Sequence, residues 1–224
     1  MTTWVVIPVK PLRLAKSRLA KILTPDERQQ LAETMLRHVL KTVNEVPQVA
    51  GTLVISRDNR ALAIAREYKV RTVQESGTPE LNHALLRATK IIESWRSDSI
   101  LILPADLPLI NREDISNIIT LGKRSFPSVV IATDRVQDGT NALFVRPPGC
   151  INYAYGPGSF ERHIAFAREA NANVEHYQSE RLQFDIDVPD DLAKYYQLTQ
   201  AIPPAVAGTS PDAQDNVLPQ LDWL

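Results

Sequence analysis

Short apolar runs recur along the chain, and none of them alternates strictly with polar residues. The four clearest runs are residues 5–7, 53–55, 100–103 and 129–131. Unbroken runs of β-branched and aliphatic residues are typical of strands buried on both faces, as in a parallel sheet. Helical patterns separate the runs, so the sequence predicts an α/β fold with an open sheet flanked by helices. Ligands of such sheets bind beyond the carboxyl ends of the strands, so residues directly after each run are the first candidates for a site.

Two of the helical patterns are well defined. In the first, Thr24 is expected to cap the helix, Pro25 to occupy its first turn and Glu27 to complete a capping box. Its apolar face comprises Leu31, Met35, Val39, Leu40 and Val43. The face of the second helix comprises Leu81, Leu85, Ala88 and Ile92. Residues spaced by three and four lie on one side of a helix, so both helices are expected to pack on the sheet.

The length and composition of the chain fit one α/β domain. The 224 residues include 44% hydrophobic and 23% charged side chains, enough apolar material to cover both faces of a sheet. Global disorder is therefore excluded. We expect a domain over residues 1–200 and a flexible tail over residues 201–224, which begin rich in Pro, Ala, Gly and Ser.

Charge and cysteine content exclude several classes of protein. A formal net charge of -1 provides no basic surface for non-specific binding of nucleic acid. Cys150 is the only cysteine, so no intramolecular disulfide can form and a reducing compartment is expected. The N-terminal apolar run is short and broken by Pro8, unlike a signal peptide or a membrane span. The sequence predicts a cytoplasmic protein without a membrane partner, and it leaves a homodimer open.

A cationic segment, residues 8–19, directly follows the first predicted strand. It carries Lys10, Arg13, Lys16 and Arg18 and no acidic residue, so it could neutralise a nucleoside triphosphate. A solvated basic loop is the alternative. The segment has neither the glycine-lysine pattern of a P-loop nor the glycine pattern of a dinucleotide-binding turn, which weakens ATPase and dehydrogenase interpretations.

An acidic residue, Asp106, follows the run at 100–103 and is flanked by Pro104 and Pro108, which fix the turn. A carboxylate at the tip of a strand is a candidate ligand for Mg²⁺, which prefers oxygen ligands and needs one or two carboxylates beside substrate phosphates. The alternative is that Asp106 only shapes the turn or caps a helix.

The second acid is expected near the end of the domain. Alternation of apolar and acidic residues over 184–188 predicts a strand with Asp185 and Asp187 on one face, and Pro189 is expected to begin the last helix. Asp187 is the candidate for the second metal ligand. It could equally serve as the cap of that helix.

Two glycine-containing loops lie between these acids. Asp-Gly-Thr-Asn-Ala-Leu at 138–143 is a turn that re-enters an apolar strand, and it could bind a phosphate or carboxylate or simply form a hairpin. Tyr-Gly-Pro-Gly-Ser-Phe-Glu-Arg-His at 155–163 leads into a helix whose N-terminal amides could bind an anion. Ser159 is expected to cap this helix or bind substrate, whereas Arg162 and His163 are interpreted as facing solvent.

Taken in order, these motifs resemble one known family. They are the Pro-Val-Lys-Pro-Leu and Ala-Lys-Ser-Arg-Leu segments, Asp-Leu-Pro-Leu, the two loops above and Asp-Ile-Asp-Val-Pro-Asp-Asp-Leu, all within about residues 4–200. The set is similar to the phospholactate/phosphoenolpyruvate guanylyltransferases of deazaflavin coenzyme (F-420) biosynthesis. The resemblance implies a glycosyltransferase-A-like nucleotidyltransferase fold with a mixed, mostly parallel central sheet. It also implies transfer of GMP from GTP to phosphoenolpyruvate, 2-phospho-L-lactate or 3-phosphoglycerate, with release of pyrophosphate.

The same resemblance implies roles for individual residues. Asp106 and Asp187 would hold Mg²⁺. Catalysis would depend on Asp106 together with three cations, Lys10, Lys16 and Arg18. The nucleotide would contact Pro8, Lys10, Lys16 and Asn82, and the acid would contact Thr140, Gly156 and Ser159. From the sequence alone, Asn82 could instead cap its helix.

Several alternative functions stay open at this stage. One is another nucleotidyltransferase, of the molybdopterin or sugar-phosphate type, although those usually carry a glycine-rich loop after the first strand. Another is a non-catalytic nucleotide-binding module. A third is glycosyl transfer, to which Asp185-Ile186-Asp187 bears a superficial likeness at an unusual position.

Overall fold

The computed structural model of the chain describes residues 2–77 and 80–199. Within these residues seven strands form one sheet in the order β3-β2-β1-β4-β6-β5-β7. The strands are β1 (Thr3–Val9), β2 (Val49–Ser56), β3 (Arg71–Gln74), β4 (Ser99–Ile102), β5 (Ser128–Thr133), β6 (Thr140–Arg146) and β7 (Asn173–His176). The helices are α1 (Pro25–Asn44), α2 (Asn59–Glu67), α3 (Leu81–Ser94), α4 (Arg112–Gly122), α5 (Ser159–Glu169), α6 (Glu180–Gln183) and α7 (Pro189–Thr199).

The sheet is mixed and mostly parallel, as predicted. β1 lies between β2 and β4 and is parallel to both, and β3 is parallel to β2. β6 is the exception, because it runs antiparallel to β4 and β5, while β7 is parallel to β5. The chain order reverses direction across the sheet between β1 and β4, and such a switch point is where open α/β sheets form a ligand crevice.

Helices cover both faces of the sheet, which explains why the strands read as continuous apolar runs. Successive residues of β1 point to opposite faces: Val5 and Ile7 pack with α1, α2 and α4, whereas Val6 packs with α3 and α5. A third cluster lies beside the first layer and joins the segment after β1 to α1 and to the residues around α7. This cluster joins the segment after β1 to the C-terminal part of the described chain beside the crevice.

The predicted helix starts are largely confirmed. Thr24 accepts a hydrogen bond from the amide of Glu27, whose side chain accepts one from the amide of Thr24, and Pro25 opens α1. The predicted apolar face of α1 is buried throughout, and in α3 Leu85, Ala88 and Ile92 are buried while Leu81 is half-buried.

One strand prediction is wrong. Residues 184–188 belong to neither a strand nor a helix. Phe184 and Ile186 are buried in the third cluster, so the alternation of apolar and acidic residues is real. Because this short segment lies between α6 and α7, it alternates without pairing to the sheet.

Two strands escaped the sequence pattern. β3 and β7 are the edge strands of the sheet, and their end residues are exposed while their central residues are only half-buried.

Across the described residues, every helix is too short or too polar to cross a membrane. The predicted tail, residues 201–224, lies outside the part of the chain that the structure describes, as does the boundary residue Gln200.

Candidate functional site

A cavity of about 660 Å³ opens at the carboxyl ends of β1, β2 and β4. It lies at the switch point of the sheet, where the sequence predicted the site. Its walls include both predicted metal ligands and all the predicted nucleotide-binding residues of the segment after β1. The polar residues that line it are Lys10, Lys16, Ser17, Arg18, Arg57, Glu75, Glu80, Asp106, Tyr155 and Asp187, together with apolar residues that include Pro8.

Two 3-10 turns, residues 12–14 and 17–19, fold the cationic segment against the domain. Leu12 and Leu19 are buried, and the amide of Leu12 donates to the carboxylate of Asp58 at 2.7 Å. Between the turns, Lys16 adopts a left-handed backbone with φ 53. This conformation costs a residue with a side chain on the order of 1 kcal/mol, and interactions of its side chain must offset that cost.

Those interactions are with the two predicted metal ligands. The ammonium nitrogen of Lys16 lies 2.8 Å from Asp106 Oδ2 and 3.4 Å from Asp187 Oδ1, and its side chain is only 4% exposed. The solvated-loop alternative is therefore wrong for Lys16. Arg18 is solvated as that alternative expects, since its side chain is 72% exposed. It nevertheless donates to Asp187 Oδ2 at 2.9 Å.

The charges of this cluster stabilise one another. Burial by itself would lower the pKa of Lys16, but the adjacent carboxylates, Asp106 first, raise it above its ordinary value. Burial would likewise raise the pKa of Asp106, yet the ammonium of Lys16 holds that pKa below its usual range. Burial and the nearby charge of Asp187 raise the pKa of Asp185. Asp106 and Lys16 are thus charged together at neutral pH.

The segment that carries Asp187 is held by the first turn of α7. The carboxylate of Asp191 accepts from the amides of Asp187 at 3.1 Å and Val188 at 3.0 Å, and it also pairs with Arg135. Asp191 therefore fixes the backbone directly before α7. Asp187 is left with both side-chain oxygens directed at Lys16 and Arg18.

The residues fit a magnesium ion in part. Asp106 and Asp187 are close enough for one ammonium group to contact both, so a small cation could bridge them, and carboxylate oxygens are suitable ligands. Within residues 2–77 and 80–199, no group of three or more His, Cys, Asp or Glu side chains is arranged to hold a metal. Two carboxylates with substrate phosphates as further ligands match the usual way in which Mg²⁺ is bound.

The predicted acceptor residues lie at the neighbouring strand β6 and the start of α5. Thr140 Oγ1 lies 3.1 Å from Ser159 Oγ, and both residues are buried. The structure therefore brings these two hydroxyls together, but they are hydrogen-bonded to each other. The cap of α5 is Gly158, not Ser159. Gly156 is exposed, with φ +124, a conformation that L side chains rarely adopt.

His163 does not face solvent, which corrects the sequence interpretation. The ring is fully buried, its Nε2 accepts from the amide of Ala154 at 3.0 Å, and its Nδ1 lies 3.0 Å from Thr140 Oγ1. Because Nε2 accepts, the neutral ring carries its proton on Nδ1 and donates it to Thr140. Thr140 is then free to donate to Ser159. The expectation of exposure is confirmed for Arg162, although its guanidinium binds the carbonyls of Ala154 and Pro157.

The amides predicted to bind an anion already have partners within the protein. Asp138 accepts from the amide of Gly158 through Oδ1 at 2.9 Å and from the amide of Phe160 through its carbonyl at 3.1 Å. The turn at 138–139 thus docks on the first turn of α5. Asp138 and Gly139 lie in the connection between antiparallel β5 and β6, so the hairpin interpretation of this motif is confirmed.

Asn82 has a structural role that the sequence did not predict. Its carboxamide oxygen accepts from the amide of Tyr155 at 2.8 Å, and its nitrogen donates to the carbonyl of Tyr155 at 3.4 Å. The cap of α3 is Glu80, so the capping alternative is wrong. Leu81 and Ala84 of the same helix line the cavity. Asn82 therefore fixes the loop at residues 154–158 through Tyr155, which lines the cavity.

Three charged residues of the cavity, Arg57, Glu75 and Glu80, were missed from the sequence. Arg57 directly follows β2 and Glu75 directly follows β3, and their side chains pair at 3.3 Å. The rule that sites lie after strands would have found Arg57, because the run at 53–55 was recognised. Glu75 carried no such signal, since β3 is a short polar edge strand.

Comparison with known proteins agrees with this geometry. The family model described as "Guanylyl transferase CofC like" matches residues 3–197. A phosphoenolpyruvate guanylyltransferase of Sphaerobacter thermophilus is 38% identical over 193 residues, covering 86% of this chain and 91% of the relative. A 2-phospho-L-lactate guanylyltransferase of Methanocaldococcus jannaschii is 33% identical over 193 residues, covering 86% and 81%.

Solved structures show the fold. A putative nucleotide-diphospho-sugar transferase from Desulfovibrio desulfuricans G20 superposes with a TM-score of 0.71 at 14% identity, covering 89% of each chain. A CMP:2-keto-3-deoxy-manno-octonic acid synthetase complexed with CTP superposes with a TM-score of 0.62 at 13% identity, covering 89% of this chain and 99% of the other. These likenesses confirm the predicted nucleotidyltransferase fold. With a family match that spans nearly all the described residues and relatives above 30% identity, the chain belongs to the CofC-like guanylyl transferase family.

Proposed function

We propose that this protein transfers GMP from GTP to the phosphate of a phosphorylated three-carbon acid, in the biosynthesis of coenzyme F-420. The observation that carries the proposal is the position of Lys16 between Asp106 and Asp187 in the wall of a cavity at the switch point of the sheet. The printed names of the relatives, phosphoenolpyruvate and 2-phospho-L-lactate guanylyltransferase, supply the candidate acceptors.

The proposed reaction requires little acid–base chemistry. An oxygen of the acceptor's phosphate forms a bond to the α-phosphorus of GTP while the bond from that phosphorus to the bridging oxygen breaks, and pyrophosphate leaves with the electron pair. A phosphate monoester is largely dianionic near neutral pH, so its oxygen is already a nucleophile. The protein must align two anions that repel each other and neutralise the charge on pyrophosphate.

The charged residues of the cavity suit both tasks. In this proposal Lys10, Lys16 and Arg18 neutralise the triphosphate. Pro8 is part of the cavity wall and contacts the nucleotide there. Mg²⁺, held by Asp106 and Asp187, would supply further charge neutralisation and orientation. Support for the ion is the pair of carboxylates that one ammonium group contacts.

The test is pyrophosphate release with GTP and Mg²⁺ in the presence of phosphoenolpyruvate, 2-phospho-L-lactate, 3-phosphoglycerate or no acceptor. We expect release with one of these acids and none without an acceptor, and a chelator should abolish it. Silence with all three acids despite measurable GTP binding would favour a nucleotide-binding module instead. Release that persists in excess chelator would contradict the role of Mg²⁺.

Removing the hydroxyl of Ser159 should weaken binding of the acid selectively. Admission of the acid requires the loop at 154–158 to move, after which Thr140, Ser159 and the backbone of Gly156 offer donors to its oxygens. We expect Ser159→Ala to raise the KM for the acid by about 10-fold and leave the KM for GTP unchanged, because one hydrogen bond to a charged group is lost.

The matched control for this variant is Ser128→Ala. Ser128 is as buried as Ser159, but it binds the carbonyl of Gly122 at the opposite end of β5. Steady-state kinetics with each substrate varied in turn measures both KM values. Equal changes in the two KM values for Ser159→Ala would contradict the placement of the acid.

Compartment and assembly are part of the proposal. The single cysteine, Cys150, is consistent with a reducing cytoplasm. A homodimer is the proposed assembly, and sedimentation of the full chain measures it.

A further inference from the structure

We infer that Glu75, oriented by Arg57, recognises the Watson–Crick edge of the guanine base and selects GTP over other nucleoside triphosphates. The inference rests on the proposed function, since it takes GTP as the donor substrate. It assigns the specificity for the base to Glu75 and Arg57.

The strand order fixes which end of the cavity must take the base. The triphosphate cluster, Lys16 with Asp106, lies at the ends of β1 and β4. Thr140 and Ser159 of the acceptor side lie on β6 and α5, which are on the β4 side of that cluster. If the acid approaches from this side, the nucleoside must extend the other way, toward β2 and β3. Neighbouring strands are about 4.8 Å apart, so the end of β3 lies about 10 Å from that of β1.

Arg57 and Glu75 are the charged pair at that end of the cavity. An Nη2–H of Arg57 donates to Glu75 Oε1 at 3.3 Å and to the carbonyl of Gly77 at 2.9 Å. Among the described residues, no group donates to Oε2 of Glu75, and the buried Nε of Arg57 has no acceptor. Oε2 of Glu75 therefore keeps hydrogen-bonding capacity that a ligand in the cavity can use.

The chemistry of this pair matches guanine and opposes adenine. The edge of guanine presents two adjacent donors, N1–H and the 2-amino group, and one acceptor, O6. A carboxylate accepts from both donors at once, and a guanidinium can donate to O6. Adenine presents an unprotonated N1 to the same carboxylate, which places two acceptors face to face. A site built to pair with particular donors rejects an analogue that lacks them.

Glu75 suits this role better than Glu80, the other glutamate that lines the cavity. The side chain of Glu75 is 16% exposed, whereas that of Glu80 is 48% exposed and lies 3.0 Å from His83 Nδ1. A hydrogen bond to a carboxylate is stronger where water is excluded. The apolar side chains of Ile55, Leu81 and Ala84 also line the cavity, and the face of the base can pack on them.

The test compares GTP, inosine triphosphate and ATP as donors for the full-length wild-type enzyme and Glu75→Gln. Inosine triphosphate differs from GTP only by lacking the 2-amino group. In Glu75→Gln the amide oxygen can accept from N1–H, but the amide nitrogen then faces the 2-amino donor. We expect kcat/KM for GTP to fall by about 10-fold, and the preference for GTP over inosine triphosphate to fall by about 10-fold as well.

Glu33→Gln is the matched control. Glu33 also pairs with an arginine, Arg60 at 2.8 Å, and its side chain is 14% exposed, but it does not line the cavity. It should retain the wild-type preference. Glu75→Asp keeps the charge on a shorter side chain, and it should show an intermediate preference, which provides a readout if Glu75→Gln fails to fold.

The two proposals fail in different ways. If the wild type turns over GTP and the preference between the two purine nucleotides is unchanged in both Glu75 variants, the assignment of the base site is overturned and guanylyl transfer stands. If the wild type releases no pyrophosphate with any acid, the proposed function fails first. The preference is then measured as the ratio of dissociation constants for GTP and inosine triphosphate, and an unchanged ratio in the variants overturns the inference.

Discussion

Replacing Asp106 with asparagine is expected to lower the rate of pyrophosphate release by at least about 100-fold, the effect of losing one preorganised charge contact to a reacting phosphate. The carboxylate contacts the ammonium of Lys16 at 2.8 Å and is half of the candidate magnesium site. The side-chain oxygen of asparagine can still accept from Lys16, and Asp187 remains 3.4 Å away from the same nitrogen. The fold should therefore survive although the charge of the site changes by one unit.

The control for this prediction is Asp190→Asn in the same acidic segment. Asp190 is exposed in the first turn of α7, and it should retain wild-type turnover. Thermal unfolding and circular dichroism of both variants establish that they are folded. A folded Asp106→Asn enzyme that turns over at the wild-type rate would remove Asp106 from the catalytic site.

Local chemistry explains why much of the fold was predictable. The cap and apolar spacing of α1 involve residues within one or two turns of each other, so the sequence displays them directly. The buried strands were recognisable because helices cover both faces of the sheet. The edge strands β3 and β7 were not, since each has a half-buried centre and exposed ends. The segment at 184–188 had a strand-like alternation, but pairing is decided by neighbours that no local pattern reveals.

The site was predictable where its residues follow strands, and it was not where distant contacts decide. Asp106 could be found because it lies four residues after the end of β4. The bond between Asn82 and the backbone of Tyr155 joins residues 73 positions apart, and no spacing rule anticipates it. Glu75 and Arg57 likewise meet only because β2 and β3 pair.

The position of His163 is the clearest case of a distant contact overriding a local pattern. In sequence it follows Arg162 one turn into α5, next to a residue that is indeed exposed. In the fold the ring lies beneath the loop at 154–158, between the amide of Ala154 and the hydroxyl of Thr140. The ring of Tyr155 packs edge-on against it at 4.9 Å. A buried ring whose two nitrogens are both used must keep a single protonation state.

That requirement predicts a pH dependence of stability. Burial, with a smaller contribution from the charge of Arg162, lowers the pKa of His163 from its ordinary value of 6.5 to about 4. The unfolded chain therefore binds a proton more readily than the folded one. The stabilisation from neutral His163 is fully present above pH 6.5 and is lost as the pH falls toward 4. A difference of this size corresponds to about 3 kcal/mol.

Substitution His163→Gln isolates this contribution. Glutamine does not titrate, and its side-chain oxygen can still accept from the amide of Ala154, so the variant is expected to be folded but less stable than the wild type at neutral pH. Denaturant unfolding of both proteins from about pH 7.5 to about pH 4 gives the difference in free energy of unfolding, in which the titration of carboxylates largely cancels. We expect this difference to shrink by about 3 kcal/mol over that range, because only the wild type must exclude a proton from its core. A difference that stays constant with pH would mean that the imidazole is as easily protonated in the folded chain as in the unfolded one, and the assignment of Nε2 as an acceptor from the amide of Ala154 would then be wrong.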